Sequence, residues 1–311
     1  MAGRKNTRAV HGILLLDKPV GLTSNKALQI VKRLFNASKA GHTGSLDPFA
    51  TGLLPICFGE ATKISAYVLN ADKRYSAVAR LGQQTSSGDV DGEIVNRSVI
   101  PDLDVAHIQA VMDSLIGTME QIPPMFSAIK KDGTPLYKLA RAGKQVERQP
   151  RAITIFELNC LDWNTPDLGF EVHCSKGTYV RTLAEDLAIR LGSLAHLREL
   201  RRTAAGVFSD QEMVSLDSLR ELEGNKAELD SLLLPLDAGL TSLGRVDLDA
   251  DQLQAICHGQ PLIANTAGDE PGLVRLYEPG GVCVGIGELG ANGHLTPKRL
   301  FPGLVPQNQA G

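Results

Sequence analysis

Residues 41–52 read Gly41-His42-Thr43-Gly44-Ser45-Leu46-Asp47-Pro48-Phe49-Ala50-Thr51-Gly52. Three glycines, one proline and two threonines in twelve residues exclude a helix or a regular strand, so this stretch is predicted to be a loop. Apolar runs flank it on both sides, which indicates that packed elements hold the loop in place. Pro48 biases the backbone of Asp47 towards an extended geometry, so the one carboxylate of the loop has a defined position. An Asp-Pro pair by itself is also typical of an ordinary turn.

The composition of the 311 residues is that of a soluble globular protein, with 43% hydrophobic and 22% charged residues. The longest apolar runs are too short to span a bilayer, and the N-terminus lacks the apolar segment of a signal peptide. The five cysteines include no Cys-x-x-Cys pair and no Cys/His cluster at metal-ligand spacing, so they are expected to be reduced thiols. These features predict a cytoplasmic protein with no evident metal site.

Charge is distributed unevenly along the chain, although the net charge is only −3. Residues 1–74 hold 11 Lys and Arg against 4 Asp and Glu, and residues 130–151 hold 7 against 2. Residues 210–251 are acidic, with 3 Lys and Arg against 11 Asp and Glu. Such segregation allows a positive track for nucleic-acid phosphates on a protein that is acidic as a whole. An ordinary solvated surface would account for the two basic regions equally well.

The order of the predicted elements indicates an α+β fold. Helices and strands follow one another without a regular βαβ rhythm, which favours a mixed, largely antiparallel central sheet with flanking helices. Strands are predicted at 12–17, 73–82, 153–161, 170–174 and 196–202, and helices at 25–35, 60–68, 105–115, 136–142 and 180–191. Thr23 or Ser24 is the predicted N-cap of the first helix. Residues 83–93 are predicted to be a loop, and residues 210–240 a linker helix and loop.

Two segments differ from this central part. Residues 123–151 begin with two prolines, contain a Lys-Asp-Gly turn and are predicted to be an excursion from the sheet. From residue 245 onward, short strands separated by Gly/Pro turns predict a small β-barrel. Residues 285–290 of this part fit the Gly-x-Gly-x-x-Gly dinucleotide pattern, but a strand follows where that motif requires a helix. We therefore reject NAD binding and predict a glycine-rich hairpin.

Four motifs follow one another along the chain. After the loop at 41–52 come KRYSAVARLG at 73–82, CSKGTYVRT at 174–182 and LRELRRT at 197–203. Together they closely resemble the signatures of the TruB family of pseudouridine synthases. The resemblance implies the pseudouridine synthase fold for a catalytic domain at 1–240, with an RNA-gripping insertion at about 123–151. It also implies a PUA-like RNA-binding domain at 245–302, where the match is looser.

The resemblance assigns roles to six residues. It makes Asp47 the catalytic nucleophile, and Tyr75 an active-site tyrosine that stacks on the target base and is a candidate for proton transfer. It pairs Arg181 with Asp47, where a guanidinium is expected to lower the pKa of the carboxyl and keep it ionised. Three further contacts to the RNA are implied, from His42 near the flipped nucleotide, Tyr179 beside the target uracil and the backbone of Leu200 at the uracil edge.

By this resemblance the chain is expected to be a tRNA pseudouridine synthase that flips uridine 55 of the T loop out of its stack and isomerises it. No external cofactor is expected, because the isomerisation involves neither a net redox change nor hydrolysis. The expected partner is the T stem-loop of tRNA, bound by a monomer without a membrane or an obligate protein partner. Attack by Asp47 on the sugar C1′ and attack on base C6 both fit the residues.

Two alternatives from other classes remain open. A non-catalytic protein that binds and remodels tRNA would use the same motifs for binding alone, although the intact Asp47, Tyr75 and Arg181 argue against it. A hydrolytic glycosylase would break the same bond and release free uracil. Glycosidases use a second positioned carboxylate, and no motif in the sequence provides one.

Overall fold

A computed structural model describes residues 7–263 and 270–305 of the chain. Within these ranges the strands are β1 (Gly12–Lys18), β2 (Ala40–His42), β3 (Thr51–Phe58), β4 (Lys73–Leu81), β5 (Gln83–Thr85), β6 (Ile94–Arg97), β7 (Gly117–Gln121), β8 (Lys130–Lys131), β9 (Thr134–Pro135), β10 (Arg151–Asn164), β11 (Asp167–Cys174), β12 (Ala195–Ala205), β13 (Phe208–Ser209), β14 (Val214–Ser215), β15 (Gly244–Asp247), β16 (Leu262–Ile263), β17 (Gly272–Tyr277), β18 (Cys283–Leu289) and β19 (His294–Leu300).

The α-helices of the same ranges are α1 (Ser24–Leu34), α2 (Ser65–Asn70), α3 (Val105–Asp113), α4 (Leu136–Arg141), α5 (Val180–Arg190), α6 (Leu216–Glu221), α7 (Lys226–Ser231) and α8 (Ala250–Cys257). Short 3₁₀-helices occupy Gly59–Lys63, Asp210–Glu212, Leu236–Leu240 and Pro302–Leu304. None of the helices in the described part of the chain is both long and apolar enough to cross a lipid bilayer.

The main sheet has the strand order β14-β1-β3-β12-β4-β11-β10-β7, with β2 paired to β3 and β13 paired to β12. The pairs β1–β14 and β3–β12 are parallel, and the other pairs of this sheet are antiparallel. The predicted mixed, largely antiparallel sheet is therefore confirmed. Strand β1 is buried along almost its whole length because both of its faces are covered. Leu14 and Leu16 pack with the helices, whereas Ile13 and Leu15 face the C-terminal part of the chain.

Helix α1 lies next to the loop at 41–52 and follows the predicted pattern. Its buried face is formed by Ala27, Leu28, Val31 and Leu34. Thr23 caps the helix, because its hydroxyl oxygen accepts a hydrogen bond from Lys26 N at 3.1 Å. Ser24, the other predicted cap, is buried and is used to hold the loop instead.

Several predicted elements need correction. The loop predicted at 83–93 begins with β5, which pairs with β6 in a small two-stranded sheet. The helix predicted at 60–68 is a 3₁₀-turn followed by the short helix α2. The linker predicted at 210–240 contributes β14, which pairs in parallel with β1. These elements are short and are stabilised by pairing with distant segments, so local patterning could not reveal them.

The residues from 244 onward form a second sheet with the order β15-β17-β18-β19-β16. It is a curled half-barrel, which is consistent with the predicted small, PUA-like β-barrel, and β18 and β19 form the predicted glycine-rich hairpin. A shared hydrophobic cluster joins this sheet to the main one and contains Ile13, Leu53, Tyr277, Ile286 and Phe301. The same cluster contains Ala61, Ile64 and Val68, so this face of β1 is covered by the 3₁₀-turn at Gly59–Lys63 and by α2 together with the second sheet. The division into 1–240 and 245–302 stays a prediction, and its residues 1–6 and 264–269 lie outside the described ranges.

The excursion predicted at 123–151 leaves the main sheet after β7 and returns to it at β10. Gln121 and Arg151, which bracket it, are paired neighbours on these two strands. The segment between them, residues 122–150, is called the insertion below. It carries the β8–β9 hairpin and helix α4.

Candidate active site

The loop around Asp47 lies between β2 and β3 and is fixed by buried contacts on both sides of the carboxylate. The hydroxyl of the buried Ser24 donates to Leu46 O at 3.1 Å and accepts from Leu46 N at 2.7 Å. On the other side, the Pro48 carbonyl accepts a hydrogen bond from Gly21 N at 2.8 Å. Leu46 is itself buried. The position of Asp47 is therefore set by the core and not by the turn alone.

A buried lysine joins the loop to the turn that follows β1. Lys18 is completely buried, and its ammonium donates to the carbonyl oxygens of Pro19 and Leu22 at 2.8 and 2.7 Å. The carbonyl oxygen of Pro48 lies 3.4 Å from the same nitrogen. Burial lowers the pKa of Lys18 to about 8, while the charge of Asp47 acts in the opposite direction.

The register of the central strands brings Tyr75 next to the loop. On β12, Arg202 is paired with Gly52 of β3 and with Tyr75 of β4. Arg202 is 1% exposed, and its guanidinium donates to Leu53 O at 2.6 Å and to Gly44 O at 3.2 Å. Gly52 has a φ of +96°, and a Cβ at this position would clash with the carbonyl oxygen of Arg202. A glycine is therefore required where the loop enters the sheet.

Arg181 is the centre of a charge network at the loop. It is the second residue of α5, and its side chain is 4% exposed. Its Nε lies 3.0 Å from Asp47 Oδ2, and its Nη1 lies 3.2 Å from Asp89 Oδ2. Nη1 and Nη2 also donate to the carbonyl oxygens of Ser87 and Phe126, both at 2.7 Å. One buried guanidinium thus links the loop, residues 87–89 and the insertion.

Asp89 is a member of this network that the sequence did not single out. It is 5% exposed, and its Oδ1 accepts hydrogen bonds from Ser87 Oγ at 2.5 Å and from Asp91 N at 3.1 Å. Burial raises its pKa. In the sequence, Asp89 lies in a Ser/Gly/Asp-rich stretch where it looks like any solvated loop residue. Lys18 and Arg202 were also missed, because a buried basic side chain has no local signal.

Burial raises the pKa of Asp47 above its ordinary value, although the adjacent Arg181 acts in the opposite direction. The carboxylate of Asp89 adds to the increase, and the ammonium of Lys18 opposes it. The prediction that Arg181 lowers the pKa of Asp47 is therefore correct for the effect of the guanidinium alone. It is wrong for the net shift of the Asp47 pKa, because desolvation is the larger effect. The side chain of Asp47 is still 37% exposed, so it remains accessible to a substrate.

The other predicted site residues lie around this ion pair. Burial raises the pKa of Tyr75 and of Tyr179, and the charge of Asp47 acts on both hydroxyls. His42 lies at the end of β2, and its Nδ1 is buried without a hydrogen-bond partner among the described residues. Burial and the charge of Arg202 lower the pKa of His42.

Two cavities are lined by residues of the loop, of the predicted site or of the insertion. One has a volume of about 440 Å³, and Leu200 and Phe49 are among its lining residues. The other has a volume of about 330 Å³ and is lined in part by Arg181 and by Phe126 of the insertion. A larger cavity of about 760 Å³ lies between α2 and the turn that joins β12 to β13, and no predicted site residue lines it. Over residues 7–263 and 270–305, no three His, Cys, Asp or Glu side chains form a group that could hold a metal ion.

Comparisons with known proteins identify the family. The model of the TruB family pseudouridylate synthase N-terminal domain matches residues 32–180, and that of the tRNA pseudouridylate synthase B C-terminal domain matches residues 181–241. A tRNA pseudouridine synthase B of Stutzerimonas stutzeri is 48% identical over 94% of this chain and 96% of its own length. The chain belongs to the TruB family of pseudouridylate synthases.

Further relatives cover the same extent of this TruB-family chain. The tRNA pseudouridine synthase B of Nitrosococcus oceani is 49% identical over 94% of the chain and 95% of its own length. The model named pseudouridine synthase II TruB, C-terminal, matches residues 244–301, a range that contains all five strands of the second sheet. The resemblance inferred from the four motifs is therefore confirmed over both sheets.

Solved structures agree with the TruB fold. A chain in the crystal structure of a Cbf5–Nop10–Gar1 complex has a TM-score of 0.72 and 25% identity, and the match covers 96% of this chain and 87% of that one. A chain in the structure of an H/ACA RNP bound to a substrate RNA containing 2′-deoxyuridine has a TM-score of 0.73 at 24% identity, over 96% and 86% of the two chains. The predicted pseudouridine synthase fold is thus confirmed, and the roles of individual residues stay predictions.

Proposed function

We propose that this TruB-family enzyme is a tRNA pseudouridine synthase that converts uridine 55 of the T loop into pseudouridine. The observation that carries the proposal is the ion pair between Asp47 and Arg181, with Tyr75 and Tyr179 within range of the same carboxylate charge. Relatives named tRNA pseudouridine synthase B match the chain over 94% of its length, which supports the same reaction for the whole of it.

Pseudouridine formation is an isomerisation. The N1–C1′ glycosidic bond breaks, a C5–C1′ bond forms, the proton on C5 leaves, and N1 gains a proton, so no oxidant or water is consumed. Asp47 acts as the nucleophile, and its carboxylate bonds either to the sugar C1′ as N1 departs or to base C6. A bond to C1′ breaks when C5 displaces the carboxylate, and a bond to C6 breaks by elimination of the carboxylate after C5 and C1′ are joined. Arg181 orients the attacking carboxylate and stabilises its ionised form.

The target base has to leave its stack in the T loop before Asp47 can reach it. Extruding a base costs on the order of a few kcal/mol. Tyr75 and Tyr179 provide aromatic faces, and stacking on an aromatic side chain contributes about 1–3 kcal/mol per base. We assign His42 Nδ1, which has no hydrogen-bond partner in the described part of the chain, to a contact near the flipped nucleotide, and the backbone of Leu200 to the uracil edge.

The RNA outside the target base is held through its phosphates and its loop shape. The insertion carries exposed lysines, and together with the basic N-terminal region it offers a positive surface to the T stem-loop. We propose that the enzyme acts on tRNA as a monomer in the cytoplasm.

The test is tritium release from an unmodified tRNA transcript labelled at C5 of uridine, with the products digested to nucleosides. Wild type is compared with Asp47→Asn, which removes the nucleophile at nearly constant volume. Asp167→Asn is the matched control, because Asp167 forms an ion pair with Arg80 at 2.9 Å in another part of the sheet. We expect wild type and the control to release tritium and to form pseudouridine at position 55, and Asp47→Asn to bind tRNA without turnover.

Other outcomes separate the alternatives. Free uracil among the products would make the protein a hydrolytic glycosylase. Tight tRNA binding without tritium release by wild type would make it a binding protein. Pseudouridine at a different position would retain the chemistry and refute the assignment of uridine 55. Turnover by Asp47→Asn at the wild-type rate would refute Asp47 as the nucleophile.

A further inference from the structure

Gln121 makes an unusual contact at the base of the insertion. It is the last residue of β7 and is 2% exposed. Its side-chain amide forms two hydrogen bonds with the backbone of one residue, Tyr179. Nε2 donates to Tyr179 O at 3.1 Å, and Oε1 accepts from Tyr179 N at 2.8 Å. The two bonds fix both peptide planes of Tyr179, as a neighbouring strand would.

The position of Tyr179 matters because helix α5 begins directly after it. Tyr179 is the N-cap residue of α5, and its own side chain makes no capping hydrogen bond. Its carbonyl accepts the first hydrogen bond of the helix from Leu183 N at 3.0 Å. Arg181 is the second residue of the helix, so the start of α5 sets the direction from which the guanidinium approaches Asp47.

The insertion reaches the same place through two further residues just beyond Gln121. The carbonyl of Phe126 accepts a hydrogen bond from Arg181 Nη2 at 2.7 Å. Ser127 lowers the pKa of the Tyr179 hydroxyl, against the larger raising effect of burial, although its buried Oγ forms no hydrogen bond within residues 7–263 and 270–305. Since Gln121 is paired with Arg151 where the insertion leaves and re-enters the sheet, its amide lies at the base of this whole segment.

We propose that Gln121 is a positioning residue for the reaction. Its amide holds the segment 179–181, and with it Tyr179 and Arg181, in the geometry that the nucleophile requires. The base of the insertion is then part of the active site, and not only a support for RNA-binding lysines. This proposal rests on the proposed function, because it concerns the rate of the same isomerisation.

The effect falls on the chemical step. Gln121 is buried, so it can act on the substrate only through the residues it holds. Loss of the amide removes the Gln121 acceptor of Tyr179 N–H and leaves Tyr179 O with the hydrogen bond from Leu183 N alone, so the start of α5 shifts or becomes less ordered. A displacement of about 1 Å at a reacting group can cost about 100-fold in rate. We expect the single-turnover rate to fall by roughly 10- to 100-fold, with the Kd for tRNA changed by less than about threefold.

The test uses two variants of the 311-residue chain. Gln121→Met keeps the length of the side chain and removes both hydrogen bonds. Gln121→Glu keeps an acceptor for Tyr179 N and loses the donor to Tyr179 O, so it removes half of the contact. The two are compared with wild type for single-turnover tritium release, for tRNA binding and for unfolding in urea.

Gln109 provides the matched control. Its amide also bonds two backbone groups, accepting from Cys160 N at 2.9 Å and donating to Leu158 O at 3.0 Å, but it lies on α3 away from the ion pair. Gln109→Met and Gln109→Glu are expected to lose stability without a change in the rate of the folded enzyme.

A rate loss confined to the Gln121 variants, at unchanged tRNA affinity, supports the proposal. Gln121 variants that turn over within about threefold of wild type overturn it. It is also overturned by equal rate losses in the Gln109 variants, or by a loss of affinity that accounts for the whole defect. If Gln121→Met does not fold, the comparison of Gln121→Glu with Gln109→Glu decides the question. An inactive wild type overturns both the role of Gln121 and the proposed function. An active wild type with fully active Gln121 variants overturns only the role of Gln121.

Discussion

Replacement of Arg181 by lysine tests the network on which the proposed reaction depends. The change keeps the positive charge and removes the planar guanidinium. In the structure this guanidinium has four partners: the carboxylates of Asp47 and Asp89 at 3.0 and 3.2 Å, and the carbonyls of Ser87 and Phe126, both at 2.7 Å. A lysine ammonium has three N–H donors on a flexible chain and cannot meet four fixed partners at once.

The size of the rate loss expected for Arg181→Lys depends on which of the four partners loses its hydrogen bond. A hydrogen bond to a charged group contributes about 1.5–3 kcal/mol, and a loss of this size in the transition state corresponds to roughly a 10- to 150-fold lower rate. The lower part of that range applies if the lost contact is the one to Asp47, because its side chain is 37% exposed and water partly replaces the guanidinium. We therefore expect Arg181→Lys to reduce the single-turnover rate by about 10- to 100-fold.

The assay is tritium release under single-turnover conditions with saturating enzyme, so that tRNA affinity does not enter the rate. Arg80→Lys is the control, because Arg80 makes a two-point ion pair with Asp167, at 2.9 Å for both contacts, outside the network. Its rate is expected to equal that of wild type. An Arg181→Lys rate within threefold of wild type would refute the argument from geometry, since charge alone would then be sufficient.

Three further predictions concern pH, RNA binding and stability. Because the pKa of Asp47 is raised, the single-turnover rate should fall on acidification at a higher pH than it would with a free aspartate as the nucleophile. Asp89→Asn removes a neighbouring negative charge and should move this fall in rate to lower pH. A pH profile that does not move would contradict the coupling between Asp47 and Asp89. Neutralising three basic residues of the insertion, Lys130, Lys131 and Arg141, should weaken tRNA binding and flatten the dependence of log Kd on log salt concentration. An unchanged slope would show that these residues do not contact the RNA phosphates. Gly52→Ala should lower the free energy of unfolding, measured in urea, by about 2 kcal/mol, because φ is positive at this position and the added Cβ meets the backbone of Arg202. Gly41→Ala is the control, because a Cβ at Gly41 has open space around it, and it should change the urea midpoint little.

Much of the architecture could be predicted from local patterns, because those patterns depend on neighbours in sequence. The apolar spacing of α1 and its Thr23 cap are properties of a few consecutive residues, and both are present in the structure. The glycine-rich hairpin at 285–290 was distinguished from a dinucleotide site by the strand that follows it. The short strands β5 and β14 were missed, because each depends on a partner strand that no local pattern specifies.

The sequence by itself determined the family, the class of fold and the short list of residues around which the site is built. Motifs can do this because the loop at 41–52 and the segment at 174–182 each keep their residue types in a fixed local order. The tertiary structure decided which groups join them, namely Asp89 through Arg181, and Gln121 through the backbone of Tyr179. It also decided the sign of the pKa shift at Asp47. That sign depends on how much protein surrounds the carboxylate, and desolvation is a property of three-dimensional packing that no order of residues displays.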